Sequence, residues 1–220
     1  MKRYSKMQLI MTSVVVLVPI IIGLFLWNEL PDRMVTHWNG NGEPDGWSSK
    51  GFAVFGLPLV LLAVHWLTVF FTTHDPRNKY QSSKVFGIIL WLMPVTSLIF
   101  GSATYVVALG REVNVNMIAC AFLGILLILI GNYLPKCKQN YTIGIKVMWA
   151  LDDEENWNKT HRLAGKLWVI GGVVILVTAF VSIEYFFCVL IAASLIMVSV
   201  PILYSYLYYK KNDSGKGENQ

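Results

Sequence analysis

The sequence predicts an all-α membrane protein with six transmembrane helices, both termini cytoplasmic, and a cytoplasmic amphipathic helix in the fourth loop. Three observations lead there. Of 220 residues, 55% are hydrophobic and only 14% charged, far from the balance of a soluble domain. Six apolar stretches are each long enough to cross roughly 30 Å of hydrocarbon, which takes about 20 helical residues. The lysines and arginines, finally, collect in alternate connecting segments, the bias that sets orientation in a membrane.

The first stretch, Met7 to Trp27, follows Lys2, Arg3 and Lys6. Its apolar run exceeds the roughly 7 to 15 residues of a secretory leader and no small-x-small cleavage site follows, so it reads as a retained span. Asn28 to Lys50 then turns abruptly to Gly, Asn, Asp and Pro with two tryptophans, an ordered turn-rich loop or a short extracellular cap. From Asn41, the residues Glu43, Asp45 and Gly46 match the start of an EF-type calcium loop, but Phe52 stands where the bidentate Glu belongs. No metal is therefore expected; Gly40, Gly42 and Gly46 suit positive-φ turns, and Asn and Asp suit Asx-turns. Trp38 and Trp47 suit anchors at the headgroup level. His37, exposed beside Trp38, reads as neither titrating nor ligating.

Gly51 to Phe71, Val85 to Leu109 and Asn116 to Leu134 form the next three spans, the last closed by Pro135. His65 is the one ionisable residue deep in a span, a functional candidate by default, but no span carries a carboxylate to relay its proton. Leu167 to Ile183 and Tyr185 to Tyr208 make one 42-residue block broken only by Glu184. That is too long for one crossing, so a hairpin is expected near Ser182 to Glu184. Residues 210–220 are expected to be a disordered cytoplasmic tail, and the remainder divides into 1–73 and 74–209.

With these spans, the N-terminus, the second and fourth loops and the tail hold 15 basic residues, and the first and third loops hold three: Arg33, Lys50 and Arg111. By the positive-inside rule both termini are cytoplasmic. The net charge of +5 is thus mostly topological, and direct nucleic-acid binding is not expected. Cys120, Cys137 and Cys188 lack metal-ligand or CxxC spacing and read as apolar filler. No HExxH, GxSxG or phosphate-binding glycine motif occurs, so no enzyme, catalytic residue or cofactor is expected.

The fourth loop, Leu134 to Lys166, is the longest polar segment. Asp152 with Glu155 three residues on suggests a capping box. A helix from about Asp153 puts Trp157, His161, Ala164 and Trp168 on one face. That face is expected to lie on the membrane, with Lys159, Arg162 and Lys166 toward headgroups.

The run Gly131, Asn132, Tyr133, Leu134, Pro135, then Asn140, Gly144-Ile145-Lys146, Trp149, Trp157, Thr160-His161-Arg162 and Gly165 resembles the signature of the SdpI family of bacterial immunity membrane proteins. Leu30-Pro31, His37-Trp38-Asn39, Gly42, Pro44-Asp45 and Trp47 resemble a domain of unknown function, DUF1648, often found at that family's N-terminus. One departure is Gly144-Ile145-Lys146-Val147 where the family commonly shows Gly-Ile-Arg-Thr; Lys keeps the charge but loses the bidentate fork. The resemblance implies a multi-pass protein of a bacterial cell membrane that protects against a secreted membrane-active peptide toxin. Pro31, His37, Trp38, Asn39, Asp45 and Trp47 are then expected at the peptide contact. It also implies a second partner, a cytoplasmic transcriptional repressor drawn to the inner loop. A small transporter and a signalling-only receptor stand as alternatives.

Overall fold

The computed structural model describes residues 4–181 and 185–217. The hairpin expected at Ser182 to Glu184 lies outside the described residues. Among the described residues, six helices are long and apolar enough to cross a membrane, and the chain is an all-α multi-pass membrane protein. It forms two compact units, Met1–His74 with Ser83–Asn116, and Asp75–Ser82 with Met117–Gln220. This division differs from the one expected at 73/74: the third span joins the first two, and the short polar segment after the second span joins the C-terminal half.

In the first unit, α1 (Lys6–Phe25) starts from a capping box in which Ser5 and Gln8 satisfy each other's amides. A π-helical turn, Phe52–Gly56, leads into α2 (Leu57–His74), and α3 (Ser83–Ala108) follows. Two hydroxyls of α3 reach carbonyls of α1: Ser97 Oγ donates to Val16 O at 2.7 Å and Tyr105 OH to Pro19 O at 2.7 Å. Such bonds replace water that hydrocarbon cannot supply. His65 is buried against Thr12, whose hydroxyl donates to Gln8 O (2.9 Å) and lies 3.2 Å from His65 Nε2. The histidine is thus tied into helix packing.

The segment expected to be an ordered turn-rich loop or a short cap is a β-hairpin. Strands β1 (Arg33–Trp38) and β2 (Pro44–Ser49) pair antiparallel, with irregular register around His37. The Asn and Gly residues that suggested loop are confined to its tip and bulge, while Met34, Val35, Thr36 and Trp47 fit a half-buried strand. Met34 and Leu30 anchor it in a cluster with Ala53, Val54 and Tyr105.

The second unit contains a 3-10 turn at Pro76–Tyr80, most of α4 (Val115–Tyr133), a short helix α5 (Met148–Leu151), α6 (Glu154–Val181) and α7 (Phe186–Gly217). The expected amphipathic helix is present as the first turns of α6, continuous with the fifth span. Its cap is Asp153, one residue later than expected: Asp153 Oδ1 accepts from the amides of Glu155 (2.8 Å) and Asn156 (3.2 Å). Residues 210–217, expected to be disordered, continue α7. Asn, Asp, Ser and Gly in this segment disfavour helix, but extending an existing helix costs far less than starting one.

Helices α4 and α6 meet through glycine. A Cβ on Gly131 would lie 2.8 Å from Gly165 O, and one on Gly124 would lie 2.9 Å from Gly172 O. The two contacts are seven residues apart on each helix, the spacing at which one helix face recurs along a left-handed crossing.

Candidate functional site

Two regions gather the residues singled out in the sequence. The first is the hairpin. Asn39 Oδ1 accepts from the amides of Asn41 (2.9 Å) and Glu43 (3.0 Å), an Asx-type turn, and its Nδ2 donates to Glu43 Oε2 at 3.1 Å. His37 Nδ1 pairs with Asp45 Oδ1, so the histidine has a carboxylate partner that the sequence reading did not give it. At the base, Lys50 Nζ donates to Trp27 O at 3.1 Å; at the tip, Asn116 Nδ2 donates to Gly40 O at 2.8 Å.

Held at both ends, the hairpin forms one wall of an open cleft of about 470 Å³, with Trp38 and Pro44 facing Val107, Arg111, Glu112 and Val113. Trp47 is 50% exposed, and Pro31 is exposed on the approach to β1. Trp38, half-buried, lines the cleft. The cleft combines an aromatic and aliphatic surface with one cation and one anion, which suits an amphipathic ligand.

The second region is the fourth loop, closed by buried polar side chains. Asn140 accepts on Oδ1 from the amides of Thr142 (2.8 Å) and Ile143 (2.6 Å), and donates through Nδ2 to Lys138 O (2.8 Å) and Ile143 O (2.9 Å). One fully buried amide thus uses all its bonding capacity to fold the loop upon itself. From the other side, Asp75 Oδ2 accepts from the Tyr141 amide (2.8 Å) and the Thr142 hydroxyl (2.7 Å). Arg77 donates to Leu151 O at 3.0 Å and stands 4.4 Å over the Tyr141 ring. Gln81 bonds both the amide and the carbonyl of Lys138.

Burial pushes the Asp75 carboxyl up, but hydrogen bonds from Thr142 and from the amides of Tyr141, Arg77 and Asn78 outweigh it and leave it below the usual carboxylate range. A carboxyl held low in the folded state contributes stability that is present above about pH 4, its ordinary value, and lost as pH falls through the folded value. Asp75→Asn is therefore expected to be less stable than wild type at neutral pH, with the gap closing on acidification below about pH 4. Thermal unfolding in detergent across pH 7 to about 3 checks this, and a gap independent of pH would refute it.

Trp157 and His161 form the floor of the loop. Trp157 is fully buried, donates through Nε1 to Cys137 O at 2.9 Å and stacks on His161 at 4.0 Å between ring centroids. His161 Nδ1 donates to Trp157 O (2.8 Å), and Nε2 accepts from the Ile145 amide (3.0 Å). Both nitrogens are thereby used by a neutral imidazole with its proton on Nδ1. Gly144, at φ +106°, brings the chain directly over Nε2; a Cβ there would strike that atom. The face bearing Trp157, His161, Ala164 and Trp168, expected to lie on the membrane, is turned to protein instead: Trp157 and His161 are covered by the segment from Cys137 to Ile145, Ala164 is fully buried, and Trp168 Nε1 donates to Met197 O at 3.2 Å. Its hydrophobicity reflects a protein neighbour, not lipid.

Asn156, also fully buried, joins α6 to α7: its Nδ2 donates to Ser205 O (3.0 Å), and its Oδ1 accepts from Ser205 Oγ (2.7 Å) and Thr160 Oγ1 (3.0 Å). Trp149 packs on Tyr206 and Tyr209. Lys146 and Arg162 are exposed, as is Asn132 at the end of α4. Gly165 packs against Gly131 and the ring of Pro135. Most motif residues thus build the loop, and few present themselves on its surface. Sequence reasoning missed Asp75, Arg77, Gln81 and Asn156. An available signal was Asp75-Pro76, a side-chain cap followed by proline at the first helical position.

The SdpI/YfhL protein family model matches residues 136–205 and the DUF1648 model residues 14–62. The chain is 31% identical over 207 residues to Immunity protein SdpI of Bacillus subtilis (strain 168), an alignment covering 92% of this chain and 96% of that protein. No solved structure matches it.

Proposed function

The chain belongs to the SdpI family, and from that premise we propose that it is an immunity protein of a bacterial cell membrane, protecting the cell from a secreted membrane-active peptide. The observation that carries this reading is the similarity to a protein named for immunity along almost its whole length. The distribution of 15 basic residues against three supports an orientation with both termini in the cytoplasm and the hairpin outside. In that orientation the peptide meets the Trp38–Pro44–Arg111 cleft first, and Trp47, exposed on β2, is a further aromatic contact.

Expression of the chain in a susceptible host should raise the concentration of cognate peptide needed to inhibit growth. Trp38→Ala should remove a substantial part of that protection, by about tenfold if the indole is a central contact, at unchanged membrane abundance. Susceptibility that never changes for any secreted peptide, including one encoded beside the gene, would overturn the reading.

A second role, drawing a cytoplasmic repressor to the membrane, is favoured by Met148, 74% exposed in the fourth loop, with exposed Lys146 and Tyr141 nearby in sequence. These residues, rather than buried Trp157 and His161, are the docking candidates. Met148→Glu should abolish repressor recruitment and leave peptide resistance intact; loss of both together at normal abundance would count against a separate docking surface.

A further inference from the structure

A cleft at the junction of α4 and α6 has no part in loop closure or in the proposed peptide contact. The Gly131–Gly165 contact brings the two backbones together, so no side chain fills the groove beside them. The resulting open cleft, about 380 Å³, is floored by the two glycines, Pro135 and Ile170, with Asn132 and Lys166 at its rim.

The face of α6 that runs past this cleft has a polarity gradient. Arg162 and Lys166 are exposed at its N-terminal end, and Ile170, Val174, Val177 and Val181 continue it as exposed apolar side chains, Ile170 at 61%. Lys136 stands 4.5 Å over the Tyr133 ring at the end of α4. Among the described residues, none of Lys136, Arg162 and Lys166 has a carboxylate partner. Lys166 at the rim, with exposed Arg162 one helical turn before it on α6, puts uncompensated positive charge at the polar end of an apolar groove and complements an amphiphile with an anionic head.

We infer that this cleft seats one anionic phospholipid, its phosphate on Lys166 and the Asn132 amide and an acyl chain along Val169 and Ile170. The glycines that let α4 and α6 touch also leave the depression the lipid occupies. Lysine and arginine at this level reach headgroups while their stems lie on apolar surface. A zwitterionic lipid matches the groove but leaves the excess positive charge uncompensated.

The full chain, purified in detergent and stripped of lipid, is offered phosphatidylglycerol and phosphatidylcholine of identical acyl chains, and bound lipid is counted by native mass spectrometry. Wild type should retain one phosphatidylglycerol in preference. Arg162→Gln with Lys166→Gln should lower that preference by about thirtyfold, from two lost interfacial charges, with no change in thermal unfolding in lipid-free detergent. Lys84→Gln with Lys146→Gln, an equal change in net charge at other exposed positions, should leave it unaltered. Equal retention of both lipids, full retention by the first variant, or an equal loss in both variants would overturn the inference.

Discussion

Trp157→Ala is expected to lower the stability of the second unit by about 3–5 kcal/mol, the range for deleting a large buried aromatic side chain. The indole is fully buried, and its removal also strips the Cys137 carbonyl of its donor and His161 of the ring it stacks on. Trp157→Phe separates these contributions: it keeps an aromatic ring against His161 but orphans the carbonyl, an expected loss of about 1–3 kcal/mol. Cys137 supplies a local readout, because burial pushes its thiol up to about 11 and so keeps it inert to alkylation at neutral pH. In a background with the exposed Cys188 replaced by Ser, labelling should rise sharply in Trp157→Ala. Unchanged unfolding and an unlabelled Cys137 would mean that the loop does not depend on this indole.

Gly144→Ala is the second large effect, expected to cost about 2–5 kcal/mol by combining left-handed backbone strain with loss of the Ile145–His161 hydrogen bond. At φ +106° an L-residue is strained whatever the space, and here the added methyl also meets the imidazole. The two causes can be separated. Pairing Gly144→Ala with His161→Ala removes the collision but not the strain, so the double variant should lose less than the sum of the singles. Strict additivity in thermal unfolding would show that the ring does not confine the glycine.

The spans were legible because apolar length is a local property, recorded residue by residue. The fourth loop shows where local reading stops. The spacing of Trp157, His161 and Ala164 correctly announced one apolar face, but periodicity says only that a face is covered, not by what. Lipid and the neighbouring residues 137–145 leave the same imprint on the helix. Gly144 distinguishes them, since a glycine aimed at an imidazole has meaning only when another part of the chain lies there.

Asp75, Arg77 and Gln81 escaped notice for a related reason. In sequence they are ordinary polar residues in a short loop; their role comes from partners 57 to 74 positions away. The hairpin went unread because its Asn and Gly residues dominate the composition while its strands are six residues each. Its aromatic residues, considered singly, suit membrane anchors; that Trp38 also lines a cleft follows only from the pairing of the strands.

The glycine contacts between α4 and α6 have a mechanical consequence. Where side chains separate two helices, rotamer changes can absorb a small displacement, as a gasket would. At Gly124–Gly172 and Gly131–Gly165 the main chains bear directly on each other, and two such points a heptad apart resist both sliding and pivoting. The pair should therefore move as a stiff beam. A displacement imposed at one end of α4 is then delivered to the Pro135 end with little attenuation, instead of being dissipated along the way.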